Sequence, residues 1–300
     1  MKIYIYIALL FYSSISFGQL IDNSDCKAFT DVPFFDTMFV RQNGVKSIKG
    51  HVSTKKDLKV IKSSNQMTSY NFDRSGRLET QLGTFNTSGI KDSNYLSYEY
   101  DERNNLILQR TSDSYGFFSY KYTYDDSNRV TSKTYCREES SGTDRFHFEL
   151  GKQFTIVKES YKYIDSDSIV NKSVYNNHDR IYQKYTYHYS DLDLLTAIKS
   201  QYIISKKQTE TTFKYNDLSQ VVHMKFVKNL KNPDEVQVTK FQYDELGNLT
   251  YIDEYKGINH VTHKEVLYDR SNYLLKALLV QDVATNHITI IKFTTVFYEN

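Results

Sequence analysis

FQYDELGNLTYIDEY, spanning Phe241–Tyr255, decides the fold. An alternating run ends in Tyr243, the tight turn Asp244-Glu245-Leu246-Gly247 follows, and Asn248-Leu249 open the next run. The same skeleton, aromatic-Asp-x-x-Gly/Asn-x-aliphatic, recurs as FDRSGRL from Phe72, YDERNNL from Tyr100, YDDSNRV from Tyr124 and YDRSNYL from Tyr268. Weaker copies are YNNHDRI from Tyr175, YSDLDLL from Tyr189 and YNDLSQV from Tyr215. Repetition at a near-constant period marks a repeat architecture. The turn explains its own residues. A carboxylate after the aromatic accepts bonds from backbone amides ahead of it, and Gly or Asn three residues later tolerates positive φ. The turn pairs so assigned are Asp73 with Gly76, Asp101 with Asn104, Asp125 with Asn128, Asp244 with Gly247 and Asp269 with Asn272.

Between the turns the period is two, which argues for strands. Tyr120, Tyr122 and Tyr124 share one face against Lys121 and Thr123. Tyr185, Tyr187 and Tyr189 repeat this against Lys184, Thr186 and His188. After each turn the closing aliphatic is read as restarting the same alternation, as in Leu106/Leu108. A motif spacing of roughly 24 to 28 residues fits two strands and two turns per repeat. Looser polar returns fall at Asn86–Gly89, Glu138–Gly142 and Asn229–Pro233. The expected fold is all-β: stacked antiparallel hairpins forming a curved or rolled sheet over 45–300. Further strand-like runs are Val45–Lys49, Leu58–Lys62, Phe146–Leu150 and Phe154–Val157. Residues 19–44 lack the repeat and read as an irregular cap over the first sheet edge. Val130–Tyr175 holds no clean motif, and the copies at Tyr175 and Tyr189 lie half a repeat apart. That spacing would put one of them on the opposite rim.

Residues 1–18 read as a secretory signal, with Lys2, an apolar Ile3–Phe11 and a small-x-small site at Ser16-Phe17-Gly18. The apolar run is about half the ~20 residues that a membrane-spanning helix needs. The mature chain is therefore expected outside the cytoplasm, in the periplasm, at the cell surface or beyond, with no membrane span. There Cys26 and Cys136, the only cysteines, could pair, which the chain-entropy account values at roughly 4 kcal/mol. Alternatively, Cys136 is simply a small residue on a strand. The 38 basic and 36 acidic residues nearly balance, so nothing pulls nucleic acid toward the chain.

On these motifs the chain resembles the YD-repeat family, also called RHS repeats, whose pattern is Tyr-Asp-x-x-Gly-Arg-Leu. Phe72–Leu78 matches it with Phe for Tyr, and Tyr243–Leu249 misses only the Arg. The resemblance runs from about Phe72 to the C-terminus. It implies a long antiparallel sheet that spirals into a shell, in secreted toxins and teneurin-like adhesion proteins, with carbohydrate binding by some repeats. No Asp-Pro-x-Gly core motif is present. About sixteen strands at ~4.8 Å would close a ring only ~25 Å across, too narrow for a folded cargo.

With 27 Tyr, 18 Phe and no Trp, the aromatic rows are either the core or an exposed platform for stacking sugars. On the second reading the binding residues are Tyr120, Tyr122, Tyr124, Tyr185, Tyr187 and Tyr189. His260 and His263 form a close pair, with Asp253 and Glu254 beside them in sequence, but no metal or cofactor is assigned. The turn aspartates have a structural explanation. A glycosidase would need two carboxyls ~5–9.5 Å apart around one bond. No nucleophile elbow, phosphate loop or zinc-helix motif occurs, so an enzyme is not expected. The main expectation is a secreted binding or structural module for a glycan or envelope protein, its ligand on the polar face or the return loops, joining to other copies through sheet edges. The alternatives are a small hydrolase of envelope polysaccharide and an outer-membrane β-barrel. The barrel requires an apolar outward band. Lys121, Lys133, Lys184, Lys225 and Glu99 charge one face, and Arg110 and Asp253 interrupt the other.

Overall fold

The structure, a computed structural model, describes residues 19–87, 90–113, 116–231 and 236–299. The expected signal at 1–18 and parts of two return turns, 88–89 and 232–235, lie outside the described residues. One short helix, α1 (Thr37–Gln42), precedes the strands β1 (Val45–Lys55), β2 (Lys62–Phe72), β3 (Leu78–Thr87), β4 (Ile90–Tyr100), β5 (Leu106–Asp113), β6 (Gly116–Tyr124), β7 (Val130–Ser140), β8 (Leu150–Ser166) and β9 (Ile169–Tyr175). There follow β10 (Ile181–Tyr189), β11 (Leu195–Tyr202), β12 (Gln208–Tyr215), β13 (Val221–Val227), β14 (Val236–Tyr243), β15 (Leu249–Lys256), β16 (Asn259–Tyr268), β17 (Leu275–Asp282) and β18 (His287–Phe297). Leu58 and Ile61 sit in the β1–β2 connection, and Phe146–Phe148 in the β7–β8 connection, so neither run is the strand expected of it.

Each strand pairs antiparallel with the next, and β18 pairs back onto β1 from Val45↔Phe297 to Lys55↔Ile288. The expected all-β hairpin sheet is therefore closed into an 18-stranded barrel. Closure pairs both sides of most strands, but residues 150–159 of β8 pair with β7 alone and keep one free edge. Followed once around, the register returns to β1 displaced by about 22 residues, which tilts the strands by roughly 40°. A circular section would then have a backbone radius of roughly 18 Å, wider than untilted strands would make it.

The five aromatic-Asp motif turns collect on one rim, and four of them carry the expected chemistry. Asp73, Asp101, Asp125 and Asp244 accept from the amide four residues on, at 2.8 to 2.9 Å. Gly76, Asn104, Asn128 and Gly247 take positive φ. At Asp269 the turn holds one more residue, so Tyr273, not Asn272, is left-handed. The Tyr175 copy lies on the opposite rim, as its spacing implies. Every motif hairpin also contains a bulge at its aromatic, for example between Glu99 and Tyr100 and between Gln242 and Tyr243. The extra residue reverses the alternation, so Leu108 does not continue the face of Leu106 but pairs with outward Glu99 and Lys121.

The repeated tyrosine fastens neighbouring hairpins. The hydroxyls of Tyr100, Tyr124, Tyr163, Tyr215, Tyr243 and Tyr268 donate to the carbonyls of Leu78, Leu106, Val130, Leu195, Val221 and Leu249, at 2.7 to 2.9 Å. Each acceptor is the closing aliphatic of the preceding motif hairpin. Tyr298 makes a comparable bond across the seam, to the carbonyl of Phe72, the opening aromatic of its motif. A phenylalanine in these places would leave the carbonyl without that donor.

Residues 19–43 form a plug inside the barrel rather than a cap over an edge. Asp36 caps α1 by accepting from Phe39 N at 2.6 Å, and Ile21 bridges to Phe35. Leu20, Ile21, Phe34, Phe35, Phe39 and Val40 are buried against inward Ile48, Tyr70, Leu96, Tyr98, Phe241, Ile252 and Phe293. Cys26 belongs to this plug, whereas Cys136 faces outward on β7 opposite Ser119. The barrel wall separates them and both are free, so the possible disulfide is not formed and Cys136 is a small strand residue.

No helix among the described residues is long and apolar enough to cross a membrane. The register puts Lys49, Glu99, Arg110, Lys121, Lys184, Lys199, Lys225, Lys240, Asp253 and Lys292 outward, at mid-strand positions around the ring. Arg110 and Asp253 thus change face from the expectation, and Lys133 turns inward. The β7–β8 connection folds over part of the outer wall. There Phe148 packs on Phe117, and Arg110 lies 4.0 Å above the Phe148 ring. Beneath it Glu138, expected in a turn, is a buried strand residue that accepts from Arg110 Nε at 2.6 Å and Ser119 Oγ at 2.7 Å.

Candidate functional site

The plug packs against β1–β4 and β13–β18 and leaves the inward face of β6–β10 uncovered. On that wall the period-two alternation turns tyrosines and a few charged residues into the lumen. Tyr120 stacks on Tyr135 with ring centres 4.7 Å apart, and the Lys133 ammonium lies 4.3 Å from the Tyr120 ring. These three, with Val157 and Glu159, line a cavity of about 220 Å³. Val157 is 48% exposed, so the lumen here is open to water. Across β8, Glu159 accepts from the hydroxyls of Tyr161, at 2.6 Å, and Tyr182. Lys172 on β9 sits 4.5 Å from the Tyr185 ring and 4.9 Å from that of Tyr161.

All six tyrosines singled out in the sequence face inward, but they divide by role. Tyr120, Tyr185 and Tyr187 belong to the open wall. Tyr124 spends its hydroxyl on Leu106 O. Tyr122 is half-buried beside it. Tyr189 lies at the motif rim, where it joins Tyr215, Tyr243, Asn23 and Gln220 around a cleft of about 320 Å³ between plug and wall. Tyr135, Tyr161, Lys172 and Glu159 carry no sequence expectation, and Lys133 is expected only as a charge on the other face. They sit in the motif-poor stretch, where the Tyr161/Tyr163 alternation was the available signal. The motif aspartates lie along the rim with an oxygen committed to turn amides. Hydrogen bonds from Asn105 hold the Asp101 carboxyl below the ordinary carboxylate range, and the Arg129 amide does so for Asp125.

Burial dominates the electrostatics of the wall. It pushes the phenols of Tyr122, Tyr185 and Tyr187 up to about 12, and raises Tyr161 and Tyr182 further with help from Glu159. Desolvation lowers Lys172 while Glu159 opposes the shift. A phenol whose folded pKa lies above its unfolded value stabilises the fold fully below the unfolded value of about 10 and loses that contribution as pH rises through the folded one. Titration followed at 295 nm should show a late class of tyrosines, with stability falling from about pH 10 to 12. A single class ionising near 10 without loss of structure would mean that the wall is not packed as described.

Chemically, the wall offers flat aromatic faces, two ammonium donors and one carboxylate acceptor within one concavity. That combination suits a ligand with both apolar faces and hydroxyls. His260 and His263 lie with Asp253 on the outer face, away from this wall, while Glu254 turns inward to Lys264 at 2.7 Å.

No protein-family model matches the chain, and no curated protein matches it. Among solved structures, a porin-like protein from Bacteroides uniformis is similar at 12% identity and a TM-score of 0.40, over 84% of this chain and 98% of that one. A porin-like protein from Bacteroides vulgatus aligns at 9% identity and 0.30, over 83% and 98%. TcdB2-TccC3 without its hypervariable C-terminal region aligns at 12% identity and 0.28, over 76% of this chain and 12% of that one. At such scores a likeness carries neither fold nor function across.

Proposed function

We propose that this chain is an exported, non-catalytic barrel protein that works in water and binds a glycan in the uncovered half of its lumen. The observation that carries the reading is the tyrosine wall on β6–β10, which the plug leaves open. Sugar rings present C–H faces that stack on phenols, and Lys133, Lys172 and Glu159 supply partners for hydroxyls. The repeated hairpin with its tyrosine fastening supports kinship with YD-repeat proteins, and the signal-like residues 1–18 support export.

Ring closure favours a second reading over an open scaffold, namely an outer-membrane barrel. The tilt of roughly 40° falls in the range of membrane barrels. The outward lysines argue against lipid, because each would cost about 2–4 kcal/mol near the bilayer midplane. Water on both sides of the wall removes that cost.

The test uses purified residues 19–300 on a glycan array, with Tyr120→Ala and Tyr185→Ala in the lumen and outward Thr123→Ala as control. Selective binding should fall roughly tenfold in each luminal variant, since one stacked ring contributes ~1–1.5 kcal/mol, and persist in the control. No selective binding, or equal binding by all variants, would remove the glycan reading. Flotation with liposomes in detergent-free buffer separates the two environments. A protein that stays in the aqueous fraction fits the proposal, and one that floats or demands detergent fits the membrane barrel.

A further inference from the structure

We propose that Asp253, His260 and His263 form a binding site for one divalent transition-metal ion on the outer face of β15–β16. This site is independent of the lumen. Asp253 and His263 are register partners across the two strands. A bulge between Glu254↔Thr262 and Tyr255↔His260 then brings His260 onto the same face, where plain alternation would have presented Val261. His263 Nδ1 lies 2.7 Å and His260 Nε2 2.9 Å from the same oxygen, Asp253 Oδ1. The three donor atoms fall within 4.8 Å of one another. Ligands ~2.0–2.1 Å from a common ion stand about 3.3 Å apart, so an ion asks the two carboxylate–imidazole distances to open slightly and the two ring nitrogens to settle at that same spacing.

Several features mark this group as more than a surface ion pair. Asp253 is only 9% exposed, yet it sits on the wall that meets water, with two imidazoles turned onto one of its oxygens. Tyr255 stacks on His260 at 4.6 Å and Tyr251 on His263 at 5.6 Å, which fixes both ring planes. Each imidazole remains about one-third exposed, which leaves further coordination positions open to solvent. The nearest cation by register, Lys240, turns its ammonium over the Tyr255 ring at 4.8 Å. Two imidazoles and a carboxylate suit zinc and its first-row neighbours, whereas calcium and magnesium prefer all-oxygen sets. Competing with a metal, His260 Nε2 also lies 3.1 Å from Thr262 O.

The experiment titrates tag-free, metal-stripped residues 19–300 with Co²⁺, followed by its visible d–d absorption, and with Zn²⁺ by calorimetry. The expected result is one ion per chain, with cobalt bands typical of low coordination number. His260→Ala and His263→Ala, both at partly exposed positions, should each weaken binding by more than about 100-fold while the metal-free melting temperature stays within a few degrees. Asp253→Asn should weaken binding too, but its burial makes the histidine variants the deciding ones. Absence of saturable one-to-one binding, or undiminished binding by the double variant His260→Ala/His263→Ala, would overturn the proposal and leave a hydrogen-bonded Asp–His–His group.

Discussion

A variant beginning at Gly44, without the plug, is expected to lose cooperative folding. Leu20, Ile21, Phe34, Phe35, Phe39 and Val40 are all less than 9% exposed. At ~1.5–3 kcal/mol each, their burial amounts to roughly 9–18 kcal/mol as an upper estimate. That equals the entire stability of an ordinary domain, ~5–15 kcal/mol. The loss is doubled in kind, because inward Tyr70, Tyr98, Leu96, Phe241 and Ile252 would also lose their cover. A ring of this radius has no way to fill itself with its own side chains, as small eight-stranded barrels do. Tyr98 would lose the Asp31 carbonyl to which its hydroxyl donates at 2.8 Å. Circular dichroism should show no sharp thermal transition, and a hydrophobic dye should bind strongly. A cooperative melt within a few degrees of the intact chain would show instead that strand pairing alone holds the ring.

What could be read beforehand follows how local each interaction is. The Tyr–Asp turn is self-contained, so Asp73, Asp101, Asp125 and Asp244 were legible with their Gly or Asn partners. Asp269 was legible but its left-handed partner was not, because a turn with one extra residue passes that role to Tyr273. Face assignments failed after the turns for the same reason, since one bulged residue inverts everything that follows. Lys133, Arg110 and Asp253 were misplaced in this way. Ring closure rests on β1 meeting β18 nearly the whole chain away, and on an accumulated tilt that no single stretch encodes. Nor does the plug have a period to detect. Its apolar residues satisfy one irregular cavity rather than a repeating face. Part of the tyrosine wall was visible as Tyr120, Tyr185 and Tyr187. Its other half lay behind a hidden motif, where Tyr163 keeps the hydroxyl bond to Val130 but the turn is cut short at Asp167-Ser168. For the Asp253 group, the histidine pair could be seen, but bringing His260 to Asp253 needed the β15–β16 bulge.

Replacing Gly76 by Ala is expected to destabilise far more than replacing Gly44, although both glycines have positive φ, +85° and +60°. At Gly44 an added methyl meets nothing within 4 Å. The cost there is the left-handed conformation alone, about 1 kcal/mol. At Gly76 the methyl would stand 2.1 Å from Thr37 O and 2.9 Å from Arg41 N, both backbone atoms of α1. Backbone cannot swing aside as a side chain does, and α1 is anchored by buried Phe39 and Val40. The plug must therefore move, which overpacking costs place at about 3–5 kcal/mol in total. Gly247 should fall between the two, since its methyl would meet only the amide ends of Gln19 and Gln220. Urea unfolding at constant m-value should rank the Ala variants Gly44, Gly247, Gly76 in order of increasing loss. Equal losses would mean that the plug does not press on the turn. The same logic explains why the motif varies at this position. Glycine occupies two turns where an added methyl would run into plug atoms, whereas the left-handed residues elsewhere on this rim include Asn104, Asn128, Asp193 and Ser219.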